Sequence, residues 1–318
     1  MTGRATPVAE LVEQAQAGEA RAVARLISLV ESQSADVREV SAALSPHTGK
    51  AHIVGLTGSP GVGKSTSTSA LVSALRALDR RVGVLAVDPT SPFSGGALLG
   101  DRIRMQDHAT DDGVYIRSMA SRGHLGGLSV AAPQALRVLD AAGCDVVLVE
   151  TVGVGQSEVE VSGLADTTIV LLAPGMGDGI QAAKAGILEI GDIFVVNKAD
   201  RDGATSTRRE LRSVISMTDR PDNVWKPPIV LTVATTGEGV DEVADQITAH
   251  RHHLEESGEL ERRRLARVRR EIEALALNEV HQRFGNVSGD ARLDALAADV
   301  LAGVLDPFAA ADTLLDVL

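Results

Sequence analysis

The chain has 318 residues, 44% of them hydrophobic but only 2% aromatic, and a formal net charge of −12. Its core is therefore built from alanine, valine, leucine and isoleucine. The acidity excludes a nucleic-acid groove, which needs a basic footprint, and no apolar run is long enough to cross a bilayer. A single cysteine, Cys144, leaves no internal disulfide, and Met1 leads into a polar stretch rather than an apolar signal region, so the expectation is a cytoplasmic chain away from membranes.

In chain order, residues 7–44 read as helical, with Leu11, Ala15, Ala22, Leu26 and Val30 recurring at near-helical spacing among Glu and Arg. Turn chemistry at 45–50 predicts a linker. Residues 51–250 then alternate short apolar runs with helical segments, the pattern of a parallel sheet covered by helices. The predicted strands are 52–57, 82–87, 114–117, 145–150, 167–173, 192–197 and 229–233. Several are apolar without alternation, as when both faces of a sheet are buried. The helix after the first strand returns almost at once into 82–87, which predicts a right-handed parallel crossover rather than an antiparallel insertion.

From about 239 the chain reads as helix alone. Leu265, Val268, Ile272 and Leu275 form a narrow apolar seam in a charged shell, suited to packing on another helix. A turn follows at 285–289. Leu293, Leu296, Val300 and Leu301 mark the next helix, and Asp306 and Pro307 read as the cap and first turn of a last one.

Residues 58–65, GSPGVGKS, match G-x-x-x-x-G-K-[ST] at every fixed position, between the strand 52–57 and a helix predicted over 66–78. Glycines let consecutive amides curl around a phosphate at the positive end of a helix. Gly58, Ser59, Pro60, Gly61, Val62, Gly63, Lys64, Ser65 and Thr66 are thus the candidate phosphate cradle. Lys64 would serve the β- and γ-phosphates and Ser65 would bind Mg²⁺. Asn197-Lys198-Ala199-Asp200 follows the strand 192–197, at the carboxyl end of a strand, where ligands gather. The Asp200 carboxylate can accept both donors on the guanine edge, which adenine cannot supply. Asn197 would support the loop, and the Lys198 stem would cover the base. Val233, Ala234 and Thr235 close the last strand and offer a backbone N–H to the guanine carbonyl.

Two acids end strands near the P-loop. Asp88 and Glu150 are candidate metal residues, and Asp101, in a glycine-rich segment, is a third. Gln156 is a candidate for orienting water. Each acid also has an ordinary turn or strand-end reading.

The segments GSPGVGKST at 58–66, DPTSPFSGGALLGDRIRM at 88–105, ETVGVGQSE at 150–158, APGMGDGIQAAKAG at 173–186 and NKAD at 197–200 resemble the MeaB/ArgK family, GTPases associated with adenosylcobalamin-dependent methylmalonyl-CoA mutase. The resemblance covers nearly the whole chain. It implies an α/β G domain of the SIMIBI class of P-loop NTPases over 49–255. It also implies an amino-terminal helical extension over 1–48 and a carboxyl-terminal helical arm over 256–318 that forms a homodimer. The implied activity is Mg²⁺-dependent hydrolysis of GTP to GDP, gating delivery of the cobalamin cofactor to the mutase. Lys64, Asp101, Glu150 and Lys184 are the implied catalytic residues, with Lys184 in a switch loop facing the partner. Val233 departs from the family pattern, where serine is usual.

Three other readings remain open. A nickel-insertion GTPase of this fold would carry a metal site, yet Cys144 stands alone, His252 and His253 point to different helix faces, and His108 and His124 are isolated. A kinase of the ArgK type would pass the γ-phosphate to an acceptor. A scaffold would hydrolyse GTP only incidentally.

Overall fold

The computed structural model describes residues 6–32, 34–89, 106–108, 110–121, 131–151, 157–175, 188–216, 224–284 and 291–315. The strands are β1 His52–Thr57, β2 Val82–Pro89, β3 Val114–Ser121, β4 Val146–Thr151, β5 Thr167–Leu172, β6 Ile193–Asn197 and β7 Ile229–Thr232. They form one sheet in the order β3-β2-β4-β1-β5-β6-β7, every pair parallel. All seven predicted strands are present, with ends shifted by a residue or two; β3 alone is longer than expected and pairs with β2 along its full length. The expected parallel crossover is present, because β2 lies parallel to both β3 and β4.

The non-alternating strands are explained by two buried faces. Val54, Leu56, Val82, Val84, Val146 and Leu148 enter one core, with Leu71, Val72 and Leu75 of α4 (Lys64–Ala77) and Val243 and Ile247 of the helix Val240–Glu256. Ile53, Leu85, Val87, Val147 and Val149 enter the opposite core. Successive strand residues point to opposite faces, so each strand supplies both cores.

The amino-terminal segment folds as three helices, α1 Val8–Gln16, α2 Ala20–Glu31 and α3 Val37–Leu44, the first break falling at Gly18, where φ is +92°. Their apolar faces join the second core, beside Leu136 and Leu139 of α5 (Ala131–Ala141) and Val161 of α6 (Ser157–Leu164). Tyr115 Oη donates to the Gly18 carbonyl at 3.1 Å, and Arg117 pairs with Glu31 at 2.9 Å, tying these helices to β3. The expected linker is equally fixed: the amides of Gly49, Lys50 and Ala51 all donate to the Asp140 carboxylate.

The remaining helices are α7 Ala204–Ser216, α8 Val240–Glu256, α9 Glu259–Phe284, α10 Ala291–Leu301 and α11 Pro307–Leu315, with a helical turn at Leu188–Ile190. Asp306 caps α11 through the amides of Phe308 and Ala309, as its place before Pro307 predicts. The chain divides into two compact units, 1–267 and 268–318. The first therefore includes the amino-terminal helices and the opening turns of α9, running past the boundary expected at 255. Helices α10 and α11 fall in the second. Along α9, Leu265, Val268, Ile272 and Leu275 are exposed.

A polar cluster lies at the amino-terminal end of the strands. The Thr167 hydroxyl sits between His52 Nε2 at 2.7 Å and His250 Nδ1 at 2.8 Å. Asp166 is fully buried and accepts from the Ile53 amide, Arg264 and Arg267. Asp192 accepts from the Thr168 amide and from both terminal nitrogens of Arg263, each at 2.9 Å. Three arginines of α9 are thereby bound to the beginnings of β1, β5 and β6.

Candidate functional site: a nucleotide cradle at the carboxyl ends of the strands

The loop between β1 and α4 is held by contacts that only glycine permits. Gly58 has φ +144°, and a Cβ there would lie 2.3 Å from the Leu171 carbonyl oxygen of β5. Gly63 precedes α4 with φ +96°, and a Cβ there would lie 2.6 Å from Asn197 Nδ2. Gly61, at φ +82°, has open space around it. No side chain caps the start of α4, so the helix presents its first amides and positive dipole end to the loop.

Lys64 opens α4 and is 9% exposed; its ammonium donates to the carbonyls of Gly58 and Ser59. Ser65 and Thr66 follow in the first turn, each partly exposed.

Asn197 ends β6 and is buried. Its Nδ2 donates to the Val62 carbonyl at 2.8 Å, while its Oδ1 accepts from Thr232 Oγ1 at 3.2 Å and from the Ala234 amide at 3.1 Å. Lys198, in the left-handed region at φ +59°, donates from Nζ to the Gly61 carbonyl at 2.6 Å. The predicted base-reading motif thus clamps the phosphate loop through its first two residues. Asp200 is exposed beyond them. In the last loop, the Val233 amide donates to Glu238 O and that of Ala234 to Asn197, while the amide of Thr235, which is exposed, has no acceptor among the described residues.

Glu150 lies in β4, paired with Leu56 of β1 beneath the loop, and is 1% exposed. Its Oε2 accepts from Thr68 Oγ1 of α4. Asp88 is in β2, next to β4, with its side chain outside the described residues. Asp101, Gln156, Lys184 and the turn at 285–289 lie wholly outside them. Among the described residues, no group of three or more His, Cys, Asp and Glu is placed to hold a metal ion. Cys144 is buried, and desolvation pushes its thiol up to about 12, the behaviour of an inert core residue.

A glycine cradle opening a helix, a lysine folded into it, and an Asn-Lys-x-Asp motif stapled across it define a P-loop GTPase. The profile of the family described as methylmalonyl Co-A mutase-associated GTPase MeaB matches residues 23–288. A Pyrococcus horikoshii protein bearing a GTPase name is 49% identical over 312 residues, covering 98% of each chain. The Escherichia coli GTPase ArgK is 38% identical over 261 residues, covering 80% of this chain and 79% of its own. A crystal structure of an LAO/AO transport system kinase covers 99% of both chains with 28% identity and a TM-score of 0.74. The chain belongs to the MeaB family of P-loop GTPases.

The roles of Thr68 and of the Asp166 and Asp192 clusters have no signal in the sequence. A threonine inside a helix and aspartates before strands read as ordinary capping chemistry.

Proposed function

We propose that this GTPase is a cytoplasmic chaperone of an adenosylcobalamin-dependent methylmalonyl-CoA mutase, its GTP cycle gating delivery of the cofactor. The observation that carries this reading is the match of a mutase-associated GTPase family across 23–288, coincident with a complete P-loop and base-reading clamp.

Within the site, the P-loop amides and Lys64 bind and orient the phosphates. Asp200 accepts from the guanine edge, and the Thr235 amide donates to its carbonyl. The Ser65 hydroxyl in the first turn of α4 and the Glu150 carboxylate in β4 are hard oxygens of the kind Mg²⁺ takes. Ser65, Asp88, Asp101 and Glu150 would hold it. When bound, Mg²⁺ neutralises charge on the β- and γ-phosphates. The exposed seam at Leu265, Val268, Ile272 and Leu275 supports a homodimer formed through α9.

Lys184 belongs to the segment 173–186 proposed to meet the mutase. A positive charge brought to the γ-phosphate accelerates hydrolysis by about 10³–10⁵ in related systems. Mutase lacking its cofactor should therefore raise phosphate release and bind the GTP and GDP forms with different affinity. Lys184→Ala should lose the stimulation but keep basal turnover. Turnover and nucleotide affinity both indifferent to the mutase would overturn the chaperone reading and leave the GTPase standing. Because the structural neighbour carries a kinase name, the same assay should use γ-labelled GTP; label recovered in a protein or metabolite would favour phosphate transfer.

A further inference from the structure

Thr68 is the residue through which α4 reaches the acid at the end of β4. It sits one turn beyond Lys64, is fully buried, and lies 3.0 Å from the Lys64 carbonyl as well as within hydrogen-bond reach of Glu150 Oε2. A hydroxyl has one proton to give. The Lys64 carbonyl opens the helical hydrogen-bond ladder, where the amide four residues on already serves it. A carboxylate accepts through a shorter and stronger charge-assisted bond, so the proton goes to Glu150.

We propose that Thr68 is a positioning residue for GTP hydrolysis, its hydroxyl fixing the Glu150 carboxylate from the same helix that carries Lys64 and Ser65. The inference rests on the reading of Glu150 as an acid that serves Mg²⁺. Two features make this more than a helix back-bond. Glu150 is 1% exposed, so its orientation is set by protein donors rather than by water. Its backbone is also fixed, since β4 pairs with β1 on one side and β2 on the other, Glu150 itself opposite Leu56 and Ala86. The side-chain torsions are what remains to be set, and Thr68 holds their far end. Through this bond Glu150 is tied to the same turns of α4 that carry Lys64 and Ser65.

Partners of this kind, one step removed from a metal ligand, change metal affinity by about 10–100-fold when removed. The test is equilibrium binding of a fluorescent GTP analogue during Mg²⁺ titration, with turnover measured in parallel. Thr68→Val, which keeps the shape and deletes the donor, should raise the Mg²⁺ concentration for half-maximal effect at least tenfold and leave affinity in EDTA unchanged. Thr68→Ser should restore the wild-type curve. In a Glu150→Gln background Thr68→Val should add little, because both changes remove one interaction. Thr68→Ala carries the same test if the valine variant does not fold. A wild-type Mg²⁺ curve for Thr68→Val beside a shifted one for Glu150→Gln would overturn the positioning role alone. An unshifted curve for Glu150→Gln would remove the metal role of Glu150 and the positioning role with it. Equal shifts in the serine and valine variants would also overturn it, since they would report packing.

Discussion

Asn197 joins two stretches of chain far from it in sequence: Val62 in the P-loop, and Thr232 and Ala234 where β7 runs into the last loop. Replacing it with alanine leaves the Val62 carbonyl and the Ala234 amide without this buried partner, at about 1–3 kcal/mol for each unsatisfied group. Asn197→Ala should therefore lower the thermal midpoint by several degrees even without nucleotide, and weaken GTP binding by tenfold or more. Calorimetry with and without GTP checks both; a variant that loses only base affinity would show that the clamp carries no structural load. At this scale the sequence is legible where the chemistry is local. Glycines spaced around a lysine, and a carboxylate three residues after an asparagine, announce themselves. Thr68 does not, because it lies in a helix and its partner Glu150 in a distant strand, and only the fold brings the two together.

At the scale of elements, the root of α9 is pinned by charge. Arg264 and Arg267 bond the buried carboxylate of Asp166, and Arg263 bonds that of Asp192. Beside them, burial pushes His52 and His250 down to about 4, Asp166 and Asp192 opposing the shift. An unfolded histidine titrates near 6.5, so between pH 6.5 and about 4 the unfolded chain binds protons that the folded one does not. Stability fully present above pH 6.5 is therefore lost as the pH falls through that window, by a few kcal/mol at about 1.4 kcal/mol per pKa unit. Burial alone would raise Asp166, but Arg267 and Arg264 hold it below the usual carboxylate range, so its contribution is lost only at lower pH. Urea unfolding at a series of pH values should show this slope, and the ring resonances of both histidines should stay unshifted down to about pH 5. A stability that is flat from pH 7 to 5 would contradict neutral burial of the pair. The apolar periodicities of α1, α2 and α9 are readable from the chain. The arginines of α9 read only as a charged shell, because nothing local distinguishes a solvated arginine from one reaching a buried aspartate.

For the whole molecule, the first compact unit runs to Arg267, and the expected arm at 256–318 contains arginines that this unit uses. Truncation at 256 should strip Asp166 and Asp192 of their arginine partners and destabilise the GTPase by about 3–5 kcal/mol, the cost of leaving a buried charge unpaired. Truncation after Arg267 should keep the stability and GTP affinity of the full chain and, if α9 forms the dimer, yield a monomer. Thermal melts and light scattering on the two fragments separate these outcomes; equal stability would show the arginine anchor to be dispensable. Fold class and the seven strands are legible because apolar runs alternate with helices and the first strand precedes the phosphate loop; their order in the sheet is not. The inclusion of the amino-terminal helices in the main core was not, since a periodic helix does not say which surface it covers. The strand order also governs how the chain is made. β1 is fully buried and central, yet its neighbours β4 and β5 begin only at Val146 and Thr167. At synthesis rates of ~5–20 residues per second, this apolar strand waits on the order of ten seconds with both edges unpaired. Nascent chains halted before β4 should accordingly be sticky and bind general folding chaperones, and chains released after β5 should not, so the arrangement that puts the P-loop at the centre of the sheet also sets the most aggregation-prone moment of its biogenesis.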